Sequence, residues 1–184
     1  MSFGRYVQPM TNNDWASQFR QVFDRGIAAW QAGRKSPSTM FTREDVAFLA
    51  TIGCTAQELF DFVDDNQRYG EPDFESTLGV TSLRRDYFLQ VLHGQSTGKI
   101  FPMAELPSKP AAVDGIPWLP RIIAKARIKL RGEMPDELMY GCGGDRDFLS
   151  RTSLTLPQFL KLVWDSGADD RKIIDAVKKS AGRA

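Results

Sequence analysis

A spacing of 100 residues relates two stretches of this 184-residue chain. Residues 45–65 and residues 145–165 align without a gap, and six aligned positions carry the same residue. These identities pair Asp45 with Asp145, Phe48 with Phe148, Leu49 with Leu149, Thr55 with Thr155, Val63 with Val163 and Asp65 with Asp165. Average composition supplies about one or two identities in such a window. The pattern predicts two similar halves; the alternative is that two unrelated helical units share common capping signals.

Helix signals fill both halves, because apolar residues recur at intervals of three and four throughout the chain. The first predicted helix covers residues 14–32, with Asn13 as its cap and Gly33 at its end. A capping box is predicted in which Thr55 and Glu58 open a later helix. In the second half, Asp145 is interpreted as the N-cap of a short helix. Another short helix is predicted after the capping residues Thr42 and Asp45. The remaining predicted helices cover residues 81–92, 118–132, 145–151, 155–165 and 169–179.

A proline-rich segment separates these two sets of helices. Pro102, Pro107, Pro110 and Pro117 fall within it, so it cannot form a continuous helix. The sequence therefore predicts an all-α protein made of an N-terminal helical half (residues 1–95), a proline-rich connection (96–117) and a C-terminal helical half (118–184).

Composition limits the classes of partner and compartment. The chain has 24 Lys and Arg against 23 Asp and Glu, so no overall field attracts nucleic acid or membrane. The first eleven residues lack a secretory signal, and no run of about 18 apolar residues predicts a membrane span. Cys54 and Cys142 are isolated, which favours reduced thiols in a cytoplasm. One His and two Cys give no zinc pattern, and we expect neither a metal nor a cofactor.

Two motifs in the second half resemble a known family. Residues 119–127 read LPRIIAKAR, close to L-P-R-x-I-D-K-A-R-A, and residues 140–149 read YGCGGDRDFL, close to Y-x-C-x-x-D-x-x-F-L. With the proline-rich lead before them, residues 107–179 resemble the bacterial domain-of-unknown-function family 5069. Ala124 stands where that family usually shows Asp. The resemblance implies bacterial relatives and supplies no mechanism, because the activity of the family is not established.

The helix predicted for residues 118–132 is rich in cations. Arg121, Lys125 and Lys129 repeat every four residues, so they lie along one face, with Arg127 and Arg131 on a neighbouring line. Such a face can bind a phosphate or carboxylate group. The alternatives are a solvated surface or pairing with acids from the other half.

The segment 140–147 is the other candidate site. Its three glycines permit unusual backbone shapes, and the helix that follows offers free amides that favour anions. Cys142 can serve there as a nucleophilic or redox-active thiol, with Tyr140, Arg146 and Asp147 beside it. The alternative is that Cys142 is an inert core residue.

These observations leave three hypotheses for function. The first is a non-catalytic module that binds a protein or a small anionic ligand in a groove between the halves. The second is an enzyme centred on the 140–147 loop, with Arg121 and Lys125 facing it. The third, weaker hypothesis is nucleic-acid binding by the basic helix. The candidate ligand-binding residues are Arg121, Lys125, Arg127, Tyr140, Cys142, Arg146 and Asp147.

Overall fold

The computed structural model describes residues 14–182, and helices dominate them. The proposed cap Asn13 lies outside the described residues. The α-helices in the described part are α1 (Asp14–Gln31), α2 (Pro37–Met40), α3 (Arg43–Thr51), α4 (Ala56–Tyr69), α5 (Phe74–Gln90), α6 (Leu119–Arg131), α7 (Gly143–Ser150), α8 (Leu156–Ser166) and α9 (Asp170–Ala181). The proline-rich segment adds one 3-10 turn (Met103–Glu105) and an antiparallel ribbon of β1 (Ala112–Val113) and β2 (Ile116–Pro117). The fold of the described residues is therefore mainly helical, which agrees with the predicted fold class, and the small ribbon is an addition that the sequence did not predict.

Local capping chemistry explains where α4 begins. The Thr55 hydroxyl accepts a hydrogen bond from the Glu58 amide at 3.1 Å, and the Glu58 carboxylate accepts one from the Thr55 amide at 2.9 Å. These two bonds satisfy amides that have no partner inside the helix. The predicted capping box is confirmed, and Thr42 and Thr155 open α3 and α8 in the same way.

The predicted start of α7 is wrong by two residues. Asp145 is not its N-cap; Cys142 holds that position, and Asp145 lies in the first turn with its side chain buried. Its carboxylate accepts hydrogen bonds from Trp118, Lys125 and Gly141. The Asp145 carboxylate, which the sequence pattern assigned to capping, thus binds residues outside α7 instead.

Helix α5 begins seven residues before its predicted start at residue 81. Asp73 caps it by accepting a hydrogen bond from the Ser76 amide at 2.8 Å. The first turns bury small or polar residues such as Thr77, and a Cβ at Gly79 would lie 2.6 Å from Pro157. The apolar residues of these turns face two parts of the core, because Leu78 packs against one hydrophobic cluster and Val80 lies in another, so no single apolar stripe indicated a helix.

Two main hydrophobic clusters form the core. One is built mostly from α1, α3 and α4, and the other mostly from α6, α7, α8 and α9. Helix α5 packs against α1, α6 and α8, and the second cluster includes Phe62 of α4 and Val80 of α5. Side chains of the first half therefore complete the core of the second.

Helix boundaries keep the 100-residue spacing of the sequence identities. Helices α3 and α7 begin at Arg43 and Gly143, and α1 and α6 end at Gln31 and Arg131. The same spacing relates two ion pairs: Arg25 with Asp45 and Lys125 with Asp145.

Within residues 14–182, no single helix has the length and apolar composition needed to cross a membrane. Helices α3 and α4 meet those requirements only when counted together, and the chain bends by 105° between them.

Candidate functional site

The two sequence motifs of the second half meet around the side chain of Lys125. This lysine lies on α6 and is only 1% exposed. Its Nζ atom donates to the Asp145 carboxylate and lies 3.2 Å from the Cys142 Sγ atom. The fold therefore brings Lys125, Cys142 and Asp145 into direct contact.

Asp145 anchors this arrangement. Its carboxylate also accepts hydrogen bonds from the Trp118 indole at 3.0 Å and from the Gly141 amide at 2.8 Å. A buried carboxylate with several donors is well compensated for its lost hydration. The role we assign to Asp145 is to hold α6, the Gly141 loop and α7 together.

Tyr140 lies in the core beneath the loop. Its hydroxyl donates to the Leu156 carbonyl at 2.8 Å. Burial raises the pKa of Tyr140 well above its ordinary value, and the nearby Asp145 charge adds to the effect. The phenol therefore remains protonated and acts as a structural hydrogen-bond donor.

Arg146 bridges the two halves at the mouth of the loop. It donates to the Gly141 carbonyl at 2.7 Å and to the Asp65 carboxylate at 2.8 Å. Its Nε atom also lies 3.4 Å from a Glu71 carboxylate oxygen. Because two carboxylates already face its guanidinium, Arg146 is a weak site for an additional anion.

The remaining predicted site residues are dispersed. Arg121 donates to the Pro107 carbonyl at 2.7 Å, so the prediction that it faces the 140–147 loop receives no support. Arg127 donates to the Gly167 carbonyl at 2.8 Å and pairs with Asp170 at the far end of α6. Asp147 is exposed on α7. Of the seven candidate residues, Cys142, Arg146 and Asp147 line one pocket, and the other four do not.

The open basic face expected on α6 is also absent from the described structure. Lys125 and Lys129 are both buried, and Lys129 donates to the Glu58 carboxylate at 2.8 Å. Lysines buried in ion pairs cannot reach a phosphate backbone. The alternative interpretation, pairing with an acid from the other half, describes Lys129 correctly.

An open groove runs between the turn from α4 to α5 and the segment from α7 to α8. We call it the inter-half groove; its volume is about 1040 Å³. Cys142 and Leu156 lie in its wall, and Tyr69, 69% exposed, lies at its edge. The charged residues that line it are Asp65, Glu71, Asp73, Arg146 and Asp147. The lining thus carries four carboxylates and one arginine, and no sequence motif predicted this excess of negative charge.

Asp61 lies at the edge of a small internal cavity that Glu58 and Lys129 also line. Burial raises the pKa of Asp61 to about 7, although a hydrogen bond from Gln57 opposes the shift. The small cavity has a volume of about 10 Å³, enough for about one water molecule.

The raised pKa of Asp61 predicts a pH-dependent stability. An unfolded aspartate titrates near pH 4, so the folded chain holds an extra proton between about pH 4 and pH 7. The free energy of unfolding should therefore fall by about 2 kcal/mol as pH rises through this window, a value reduced for partial solvent contact. Urea titrations across pH should show a flatter profile for Asp61→Asn. The same change at the exposed Asp175 should leave the profile intact; an unchanged Asp61→Asn profile contradicts the prediction.

The glycines of α7 give a matched pair of substitutions. A Cβ at Gly144 would lie 2.5 Å from the Trp118 ring, whereas one at Gly143 would approach no atom closer than Arg146 Nη2 at 3.8 Å. We expect Gly144→Ala to lower the free energy of unfolding by about 1–3 kcal/mol through overpacking. Gly143→Ala should be neutral or stabilising by up to about 1 kcal/mol. Urea unfolding of both variants tests this; equal effects would contradict the packing argument.

Among the described residues, no group of three or more His, Cys, Asp or Glu side chains is arranged to hold a metal ion.

The structure defines a mainly helical protein with a cross-half groove beside a buried Lys–Asp pair. Its second half, residues 104–184, matches the model of the family described as a domain of unknown function (DUF5069). This match confirms the family resemblance carried by the two motifs. No curated protein and no solved structure matches the chain.

Proposed function

We propose that this protein is a binding module that holds a segment of another protein in the inter-half groove. The proposal rests on the groove, which is open and has a volume of about 1040 Å³. Leu154 contributes half-buried apolar surface, the buried Leu149 and Leu156 close the wall, and Tyr69 presents an exposed aromatic ring at the edge. Exposed aromatic residues beside apolar surface are typical of interaction sites.

Charge favours a protein segment over the small anionic ligand that the sequence also predicted. The lining has four carboxylates and one arginine, and that arginine already pairs with Asp65 and Glu71. A small anion would therefore meet net repulsion. A peptide that carries Lys or Arg would meet a complementary surface.

Selection from a displayed library of random peptides tests this proposal. Peptides that bind the protein should lose about tenfold in affinity for Tyr69→Ser, because truncating an interface aromatic removes a large contact. Ile100→Ser is the matched control, since Ile100 is 68% exposed and lies outside the groove lining. Failure to select any peptide, or equal binding to both variants, would overturn the proposal.

A second candidate function is thiol chemistry at Cys142. The position 100 residues earlier is Thr42, whose hydroxyl caps α3 by accepting from the Asp45 amide at 3.1 Å. Cys142 occupies the same N-cap position on α7 but makes no side-chain capping bond, and its Sγ atom lies 3.2 Å from Lys125 Nζ. At this position Cys142 has a thiol, which is a poorer capping group than the hydroxyl of Thr42, and the thiol lies beside the Lys125 ammonium. This combination favours a reactive role for Cys142 over a structural one.

Alkylation kinetics test the thiol candidate. Cys142 should react with iodoacetamide faster than glutathione does at neutral pH, because its half-buried sulfur lines the groove beside a cation. Cys54 is an internal reference, since burial raises its pKa to about 12 and it should react only after unfolding. Cys142→Ser should remove the fast phase and stabilise the fold by about 0.5–2 kcal/mol through a restored cap. Reaction no faster than glutathione would exclude a reactive thiol.

A nucleic-acid function is not proposed, because no described feature of α6 favours it.

We infer further that the halves 1–95 and 118–184 descend from one duplicated helical unit and that the protein works in a bacterial cytoplasm. Matching helix boundaries support the duplication, and two unpaired thiols fit a reducing compartment. Alignment of relatives that carry both halves should then show inter-half identity above chance, and identity at chance level would overturn the duplication. In cells quenched with an alkylating agent, both thiols should be recovered reduced; an oxidised pair would contradict the compartment.

A further inference from the structure

A second cavity, separate from the groove, lies on the other side of α7. We call it the α7–α9 pocket; its volume is about 380 Å³, within the range of small-molecule sites. Thr152 lines both cavities, so the end of α7 divides them. The lining residues are Ile116, Pro117, Phe148, Arg151, Thr152, Val177, Lys178 and Ala181. All of them lie within residues 104–184, which match the family model.

The chemistry of this pocket is opposite to that of the groove. Apolar side chains make up most of the wall, and its charged lining residues are Arg151 and Lys178, with no carboxylate among them. Apolar walls with a few convergent polar groups are typical of small-ligand sites.

The two cations are only partly neutralised by neighbouring acids. Arg151 pairs with Asp147 at 3.4 Å, but both side chains are mostly exposed, and such surface pairs contribute little. Lys178 donates to Asp114 at 2.7 Å, and the same carboxylate also accepts from Arg171 at 2.6 Å. Lys178 thus shares Asp114 with Arg171, which also lies 3.8 Å from Asp175, and none of these carboxylates belongs to the wall of the pocket.

We propose that the α7–α9 pocket binds a small aliphatic monocarboxylate. The hydrocarbon chain lies against Ile116, Val177 and Ala181, and the carboxylate lies between Arg151 and Lys178. Burial of the chain supplies affinity, and the cations select the charged head group over a neutral one. The proposal is independent of peptide binding in the inter-half groove.

Octanoate and 1-octanol are matched probes, because they share a hydrocarbon chain and differ in charge. Titration of the full chain, followed by amide chemical shifts, should place octanoate at the ends of α7 and α9. Octanoate should bind about fivefold more tightly than 1-octanol, because one partly exposed ion pair increases affinity by at most about this factor. Equal affinities would mean that the cations only complement the nearby helix C-termini, and would overturn the proposal.

Two substitutions locate the site. Ala181→Trp should fill the pocket and abolish the octanoate shifts, whereas Ala47→Trp, at an exposed position on α3, should not. Arg151→Gln should weaken octanoate binding by up to about fivefold without affecting 1-octanol, and Lys161→Gln is the charge-matched control on α8. Octanoate binding that persists in a folded Ala181→Trp variant, or no localised shifts in the parent protein, would overturn the proposal.

Discussion

Asp145→Ala is expected to lower the free energy of unfolding by about 3–5 kcal/mol, the usual cost of removing one partner of a buried ion pair. The carboxylate is fully buried and accepts from the Lys125 ammonium, the Trp118 indole and the Gly141 amide. Its removal leaves the buried Lys125 ammonium, the buried Gly141 amide and the half-buried Trp118 indole without their partner. Urea unfolding followed by far-UV circular dichroism measures the loss.

The first half contains a matched control for this experiment. Asp45 occupies the position 100 residues earlier and pairs with Arg25, whose side chain is 50% exposed. After Asp45→Ala, the Arg25 guanidinium regains water, so we expect a loss of only about 1–2 kcal/mol, mainly from the capping box. Equal losses for the two variants, or a loss below about 1 kcal/mol for Asp145→Ala, would contradict the role assigned to Lys125 burial.

Glu58→Gln is expected to cost about 3–5 kcal/mol as well, because it leaves the buried ammonium of Lys129 without its counter-charge. The two side chains form an ion pair of 2.8 Å across the halves, and both are buried. Glutamine retains the volume of glutamate and can still accept from the Thr55 amide, so the cap is preserved. The substitution therefore keeps the capping bond and removes both the charge and the hydrogen-bond acceptor that face Lys129.

A double-mutant cycle separates the pair from its surroundings. Lys129→Met alone should also destabilise, whereas Glu58→Gln combined with Lys129→Met should recover part of the loss, because neither charge then remains buried alone. Additive losses in the double variant would contradict direct coupling. The exposed pair of Lys161 with Asp165 on α8 is a control, and its removal should cost about 1 kcal/mol or less.

The same pair predicts sensitivity to acid. Burial raises the pKa of Glu58, but the charge and hydrogen bond of Lys129 and the Thr55 amide outweigh that effect and leave the pKa below its ordinary value. A carboxyl with a lowered folded-state pKa stabilises the fold at neutral pH, and this stability is lost as pH falls through that pKa. Lys129→Met removes the main cause of the lowered pKa, so urea titrations across pH should show a smaller loss of stability on acidification in this variant than in the parent protein.

Most helices could be predicted from the sequence because their signals are local. The aromatic stripe of α1 and the threonine caps of α4 and α8 act within one or two helical turns, so periodicity and spacing identify them. Helix α5 was predicted too short, because Leu78 packs against the first cluster and Val80 lies in the second. A helix that is buried between two clusters shows no single apolar face.

The candidate site was only partly predictable. Cys142, Lys125 and Arg146 were recognised as individual chemical groups, but the contact between Lys125 and Cys142 joins residues 17 positions apart. Lys129 and Glu58 looked like a surface cation and a cap, yet they form a buried pair across 71 positions. Residue type gives the charge of a side chain, whereas burial and partners depend on the packing of distant helices.

The sequence by itself determined that this chain is mainly helical, where most helices begin, and that its second half resembles a recognisable family. Capping and hydrophobic periodicity act over a few residues, so they are visible in the sequence. Only the tertiary structure determined that Lys125 and Lys129 of the basic helix are buried in ion pairs. It also determined that carboxylates line the inter-half groove and that cations line a separate apolar pocket. These properties depend on which faces of distant helices meet, since packing sets the solvent exposure and the partners of each charge.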